Sequence, residues 1–399
     1  MQVRAGLPLA GRDLRLDLFR GLANWAIFLD HIPHEVMSSI TTRNYGFSDA
    51  ADLFVFISGY TAACVFGRIM IERGWAAAAS KLARRAAKLY AAHIIVLALY
   101  IAVVGGVSRG LHDPDDLNQF NVAIFMSHPL REISQALLLR YRPVNLDVLP
   151  LYILLLGTFA PALWLMVRKP TLVLVGSLAV YFAARHFDWN LATSPSGLWY
   201  FNPFSWQLLF FLGAWTALGG AQAIQLVIRT RTVFYLSVAF IVFAFVVTMA
   251  INFPGLGNLL PHWILEPFDP NDKTNLVPYR VVHLIAVAVV VTRFLAADSP
   301  ILQWRLSAPL LKCGQHSLEV FCIGIVLSFC AHAAIETSLN SLWVQIFVGT
   351  LGILFLTASA YYLTWCKRQD RGILSAKYLR PLLKLEMPRI DRKPKRLFQ

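Results

Sequence analysis

Stretches of about twenty apolar residues recur along this chain, and a lipid bilayer is the solvent in which that pattern is stable. The hydrocarbon core is roughly 30 Å thick, so a spanning helix needs about 20 mainly apolar residues. Ten such stretches are read, at about 14–32, 47–70, 84–106, 147–167, 171–185, 203–220, 232–252, 280–297, 316–335 and 342–366, the fifth being short. Composition agrees: charged residues make up 15%, against roughly 25% in an ordinary soluble domain. In hydrocarbon every backbone polar group must be satisfied within the protein, which helices do one segment at a time. The expected fold is therefore all-α, a polytopic integral membrane protein of about ten transmembrane helices. One transmembrane domain is expected over 1–366, followed by a basic cytoplasmic tail over 367–399. No cleavable signal peptide is read, because the first apolar stretch carries ionisable groups and runs on into further membrane sequence.

The net charge of +14 reads as a topology signal rather than a nucleic-acid surface. Cytoplasmic connections of membrane proteins are enriched in Lys and Arg. Arg4, Arg12 and Arg15 crowd the N-terminal segment; Arg68, Arg73, Lys81, Arg84, Arg85 and Lys88 crowd the second connection. The tail after Cys366 holds eleven Lys or Arg against three acids. The opposite side is poorer, with Arg43 in the first connection and Lys273 in the seventh. Both termini are thus expected in the cytoplasm. The third connection, with Arg109, Arg131, Arg140 and Arg142, is the exception. The five cysteines have no metal-like spacing, and neither a metal site nor a structural disulfide is expected.

The first span, LDLFRGLANWAIFLDH, carries Asp17, Arg20, Asn24, Asp30 and His31. A helix turns about 100° per residue, so Arg20 and His31 project within about 20° of each other, and Asp17 and Asn24 within roughly 60° of Arg20. Ionisable groups in a membrane helix usually face a protein interior or a wet cavity and mark function. Pro33 ends the helix, and Arg20 lies about 16 Å deeper than His31, at 1.5 Å per residue. Helix 2 opens on Ser48-Asp49-Ala50-Ala51-Asp52. Asp49 reads as an N-cap, while Asp52 has both a structural and a catalytic reading. His31 suits a general base at neutral pH. Asp30, next in sequence, points about 100° away and orients His31 only if the helix end unwinds; Asp52 is the competing orienter.

On the cytoplasmic side Lys81, Arg84, Arg85 and Lys88 share one broad helical face, able to hold a phosphorylated group or merely to signal topology. On the outer side, Asn202, Trp206 and Gln207 begin a span with polar groups that need partners, and Arg280 and His283 begin another. Aromatic faces beside amides can bind sugar rings; the interfacial Trp/Tyr belt is the plainer explanation. Three function classes fit: an enzyme that docks a charged donor inside and uses His31 as a base toward a hydroxyl, a transporter or channel exporting a charged metabolite or polysaccharide, or a membrane scaffold for other proteins. No internal repeat is visible, which weighs against the transporter.

The blocks RDLRLDLFRGLANWAIFLDHIPHE, RNYGFSDAADLFVFISGY, FNPFSWQLLFFLG and GQHSLEVFCIG resemble the OpgC (MdoC) family. That family lies within the wider integral membrane acyltransferases, whose Arg-ten residues-His pattern Arg20 and His31 match. The resemblance runs from about residue 11 through the last span. It implies a ten-helix protein of the bacterial inner (cytoplasmic) membrane that adds succinyl groups to osmoregulated periplasmic glucans. The donor substrate it implies is cytoplasmic succinyl-CoA, with no tightly bound cofactor. Donor binding then falls to Arg20, Asn24, Arg84, Arg85 and Lys88, and catalysis to His31 with Asp30 or Asp52. The glucan or the free succinyl carboxylate falls to Arg43, Asn202, Trp206, Gln207, Arg280 and His283. Partners expected are the glucan, the acyl-CoA and membrane lipids, with no nucleic acid and homo-oligomerisation left open.

Overall fold

Each of the ten apolar stretches falls on a helix. The computed structural model describes residues 12–33, 35–111 and 115–385. Arg4, the His112-Asp113-Pro114 part of the third connection and tail residues 386–399 lie outside the described residues. Among the described residues the fold is helical, apart from one isolated bridge between Ala192 and Leu198. The main helices are α1 (Leu14–Asp30), α2 (Ala50–Arg73), α3 (Trp75–Leu111), α4 (Pro129–Leu137), α5 (Val148–Met166), α6 (Pro170–His186), α7 (Pro203–Trp215), α8 (Arg231–Asn252), α9 (Pro278–Phe294), α10 (Ala308–Gln315), α11 (Ser317–Glu336) and α12 (Leu342–Leu385).

Local sequence explains most of the ends. Asp13 caps α1 through the Arg15 N–H, and Asp17 in its first turn pairs with Arg12, an acid where the helix end is positive. Asp49 and Asp52 form a reciprocal capping box at the start of α2. Gly74, at φ 82°, separates α2 from α3 in a conformation glycine adopts without strain. Pro203 follows the Asn202 cap at the first position of α7, where proline lacks only an N–H that is unpaired anyway. The stretch expected at 203–220 is not one regular helix: α7 passes at Thr216–Gly220 into a wider turn with Gly219 at φ 99°.

Among the described residues six helices, α2, α3, α5, α8, α11 and α12, are long and apolar enough to cross a membrane by length and composition. Helices α1, α6 and α9 have 17 residues each and α7 has 13; α1 and α9 also carry ionisable side chains. The helices pack in pairs: α1 on α10, α2 on α7, α3 on α5, α6 on α7, α8 on α9 and α11 on α12. Their shared core is aromatic, with Phe159, Trp206, Phe210 and Phe329 all within 1% exposure. Helices α8 and α12 turn Tyr235, Leu236, Trp343, Phe347 and Trp365 outward, the character of a lipid-facing surface.

The expected division after Cys366 falls inside α12, which runs unbroken to Leu385. The third connection folds back along α3, since the Tyr90 hydroxyl donates to the Leu137 carbonyl at 2.9 Å. One of that connection's four cations has a structural role. Arg142 is buried, pairs with Asp147 at 3.0 Å and lies 4.4 Å over the Trp199 ring. It is a structural cation, not a topology signal.

Candidate functional site

A cavity of about 340 Å³ opens between α1, α2, α3, α5, α7 and α11. Arg20, Ser58, Thr61, Arg85, Tyr152 and Phe321 are among its walls. Along α2 the lining runs from Phe54 to Phe66, about 18 Å at 1.5 Å per residue. The guanidinium of Arg20 donates to Thr61 Oγ1 at 2.9 Å and to the Ile57 carbonyl at 3.4 Å. Arg85 is exposed at the same cavity. Two cations from different helices thus share one opening. Arg84 and Lys88 lie beside it on α3, both exposed; Arg84 Nε reaches the Ser80 carbonyl at 3.4 Å, and Lys88 stands 3.7 Å from Glu319. The Tyr152 hydroxyl donates to the Phe54 carbonyl at 2.8 Å, and its ring meets Phe54 edge-on at 5.7 Å.

His31 caps the other end of the α1 stripe, half-buried and outside the cavity lining. Its Nδ1 is buried and meets no partner, while its carbonyl accepts from Asn145 Nδ2 at 3.2 Å. Asn145 stands three residues before Val148, the first residue of this segment to line the cavity. Neither expected orienter bonds to His31. Asp30 Oδ1 accepts from Thr41 Oγ1 at 2.6 Å, in keeping with its 100° offset around α1. Asp52 is fully buried and holds the Asp49 N–H at 2.8 Å and Arg280 at 2.5 Å. The charges acting on His31 are Lys273, Arg43 and Asp49.

Beside it lies a buried ion network. Arg280, 3% exposed, bridges Asp49 at 3.1 Å and Asp52. Lys273 adds a 2.6 Å contact to Asp49 and sits 5.5 Å over the Phe201 ring. Burial is the strongest single influence and lowers the Lys273 ammonium, but Asp49, by charge and hydrogen bond, and Tyr200 together hold the group above its ordinary value. Asp49 is therefore a cap and an ion-pair partner at once.

Several expected acceptor residues are placed otherwise. Arg280 is committed to two carboxylates and is not free for a succinyl group. His283 is buried; its Nδ1 lies 2.7 Å from Ser48 Oγ and accepts the Ser48 N–H at 3.3 Å. Trp206 is fully buried, its Nε1 donating to the Lys273 carbonyl at 3.0 Å; it has no face to offer a sugar. Asn202 caps α7 and donates to the Trp189 carbonyl at 2.7 Å and to Asn275 Oδ1 at 2.9 Å. Gln207 closes a pair with Ser177, accepting at 2.6 Å and donating at 2.8 Å. These side chains brace the 270s connection and α6 against α7. Arg43 alone of the outer set is exposed, its NH1 3.5 Å from the Asp30 carbonyl.

Sequence reasoning counted Lys273 and Arg142 only as topology charges and passed over Asn145, His93 and the pairing of Arg142 with Asp147. The signal for the pair was the charge anomaly in the third connection; for His93 it was a lone imidazole inside an apolar run. Asn24, foreseen, is 2% exposed, and His93 is fully buried; all four of their polar side-chain atoms lack a hydrogen-bond partner. Unpaired buried groups of this kind cost about 1–3 kcal/mol each.

Compared with known proteins, the chain matches over residues 12–368 a family model described as OpgC protein. No curated protein matches, and no solved structure matches.

Proposed function

The chain belongs to the OpgC family, a membership that points to a glucan-modifying acyltransferase with membrane helices, and we propose that it moves a succinyl group from cytoplasmic succinyl-CoA to hydroxyls of periplasmic glucans. In this reading the protein lies in the bacterial inner membrane with ten spans and both termini in the cytoplasm. Arg85 and Arg20 hold the donor's phosphates at the cavity mouth, with Arg84 and Lys88 adding to the local positive field. The acyl end extends along α2 toward the outer side. There His31 takes the proton of a sugar hydroxyl as its oxygen attacks the thioester carbonyl. The tetrahedral oxyanion collapses, the carbon–sulfur bond breaks, and the thiolate leaves and takes the proton back from the imidazolium. Arg43, exposed beside the Asp30-His31 helix end, is the cation placed to meet the free succinyl carboxylate.

One observation supports the reading above all. A cavity lined by arginines from α1 and α3 runs about 18 Å along α2, and Asn145, in the segment that leads into its α5 lining, bonds the His31 carbonyl. The test uses purified protein in detergent, labelled succinyl-CoA and glucan. Label should pass to glucan with no membrane gradient, and His31→Ala should lower turnover by about 10²–10⁴-fold, the range for a general base. Undiminished transfer by His31→Ala removes the imidazole from the chemistry. Gradient-driven movement of a solute with no acyl transfer would mean a transporter instead.

A further inference from the structure

Asn24 and His93 stand above the two cavity arginines, each on its arginine's own helix. Asn24 is one turn beyond Arg20 on α1. His93 is two turns beyond Arg85 on α3, with Leu89, another cavity residue, between them. Spacings of four and eight residues put them about 40° and 80° around from those arginines. Both lie toward the outer end, beyond the cavity lining: α1 continues from Asn24 to His31, and α3 from His93 to Tyr100, whose ring meets Phe120 of the third connection. Neither side chain meets a hydrogen-bond partner, although each is at least 98% buried. An apolar side chain of similar shape would be the more stable choice at either place. Buried polar groups left unpaired in a native fold call for an explanation, and an absent ligand is one.

We propose that Asn24 and His93 form the neck through which the donor's amide-bearing arm passes, reading its amides on the way to His31. The inference rests on the acyl-CoA reading above. The arm joining the nucleotide of an acyl-CoA to its thioester carries two secondary amides, hence two N–H donors and two carbonyl acceptors. Asn24 supplies a donor and an acceptor, and a neutral imidazole supplies one of each. The unpaired set on the protein therefore matches the set on the arm. An arm held there is kept in line between the phosphates below and the imidazole above. These are positioning residues, since neither touches the reacting carbonyl.

The experiment compares two succinyl donors in the full-length protein: succinyl-CoA, and the succinyl thioester of a simple alkanethiol with no amide. For Asn24→Leu and His93→Leu, kcat/KM for succinyl-CoA should fall about ten- to hundredfold, while that for the amide-free thioester stays within about twofold. His93→Gln, which keeps a donor and an acceptor, should recover most of the loss. The melting temperature of each leucine variant without donor should be unchanged or higher. Equal losses with both donors overturn the inference, as does a lowered melting temperature, because either outcome means that the groups serve the fold. Wild-type protein that transfers from neither donor refutes the acyl-CoA reading itself.

Discussion

Asp52 and Arg280 show how far a residue's neighbours decide its role. Both are ionisable, both stand in the first turn of a helix, and each fits a catalytic or binding role by type alone. In the fold they meet at 2.5 Å with almost no exposure. Removing Asp52 leaves the buried Arg280 with Asp49 alone, which Lys273 also holds, and takes one half of the capping box away, a loss of up to about 3–5 kcal/mol. Asp52→Ala should therefore lower the melting temperature sharply and reduce activity only in step with folded protein, which parallel thermal scans and assays would show. A variant of wild-type stability with no activity would return Asp52 to the chemistry. Arg84 and Arg85 are adjacent and equal in charge, yet only Arg85 borders the cavity. Arg85→Ala should raise the KM for acyl-CoA several-fold more than Arg84→Ala, with turnover changed less; equal shifts would mean a diffuse field rather than a site. The α1 stripe was legible because helical periodicity alone aligns Arg20, Asn24 and His31. The commitments of Arg280, Trp206 and Gln207 were not, because each is settled by a contact between segments distant in the chain, and spacing within one helix carries no information about those.

At the scale of elements, close backbone approach governs the packing around the cavity. A Cβ placed at Gly59 would fall on the Phe210 carbonyl, and one at Gly213 would fall on the Phe56 carbonyl. Helices α2 and α7 thus meet with backbone against backbone at two levels, as small residues permit in membranes. Gly213→Ala must push them apart, narrowing or opening the cavity that Phe210 and α2 line together. It should destabilise the protein by about 1–3 kcal/mol, the usual cost of overpacking, and weaken acyl-CoA binding; Gly157→Ala, which meets open space, should do neither. A binding isotherm and a melting curve for each variant decide the matter. Apolar length located every one of these helices, because hydrocarbon demands it whatever the neighbours are. It did not find α10 or α4, whose eight and nine residues carry too little apolar length to stand out from a connection. Nor did it foresee the break after Trp215, which depends on Gly219 taking a positive φ.

For the whole molecule, the issue is how many helices cross. If only the six long apolar helices did so, the N-terminal cations and those between α2 and α3 would lie on opposite faces, since a single crossing would part them. If α1 crosses too, both clusters share one face, the arrangement that the bias of cytoplasmic Lys and Arg favours. The same choice fixes the segments on either side of α7. With ten crossings, Leu198 before it and Leu226 after it lie on opposite faces; with six they lie together. Both side chains are exposed, as are Leu306 and Leu339. In a background with the five cysteines replaced, a membrane-impermeant maleimide added to right-side-out vesicles should label Leu198→Cys and Leu339→Cys. It should leave Leu226→Cys and Leu306→Cys unmodified until detergent is added. Equal labelling of positions 198 and 226 in sealed vesicles would leave α7 on one side of the bilayer. The arginine-lined cavity beside it would then have no second face toward which to pass an acyl group.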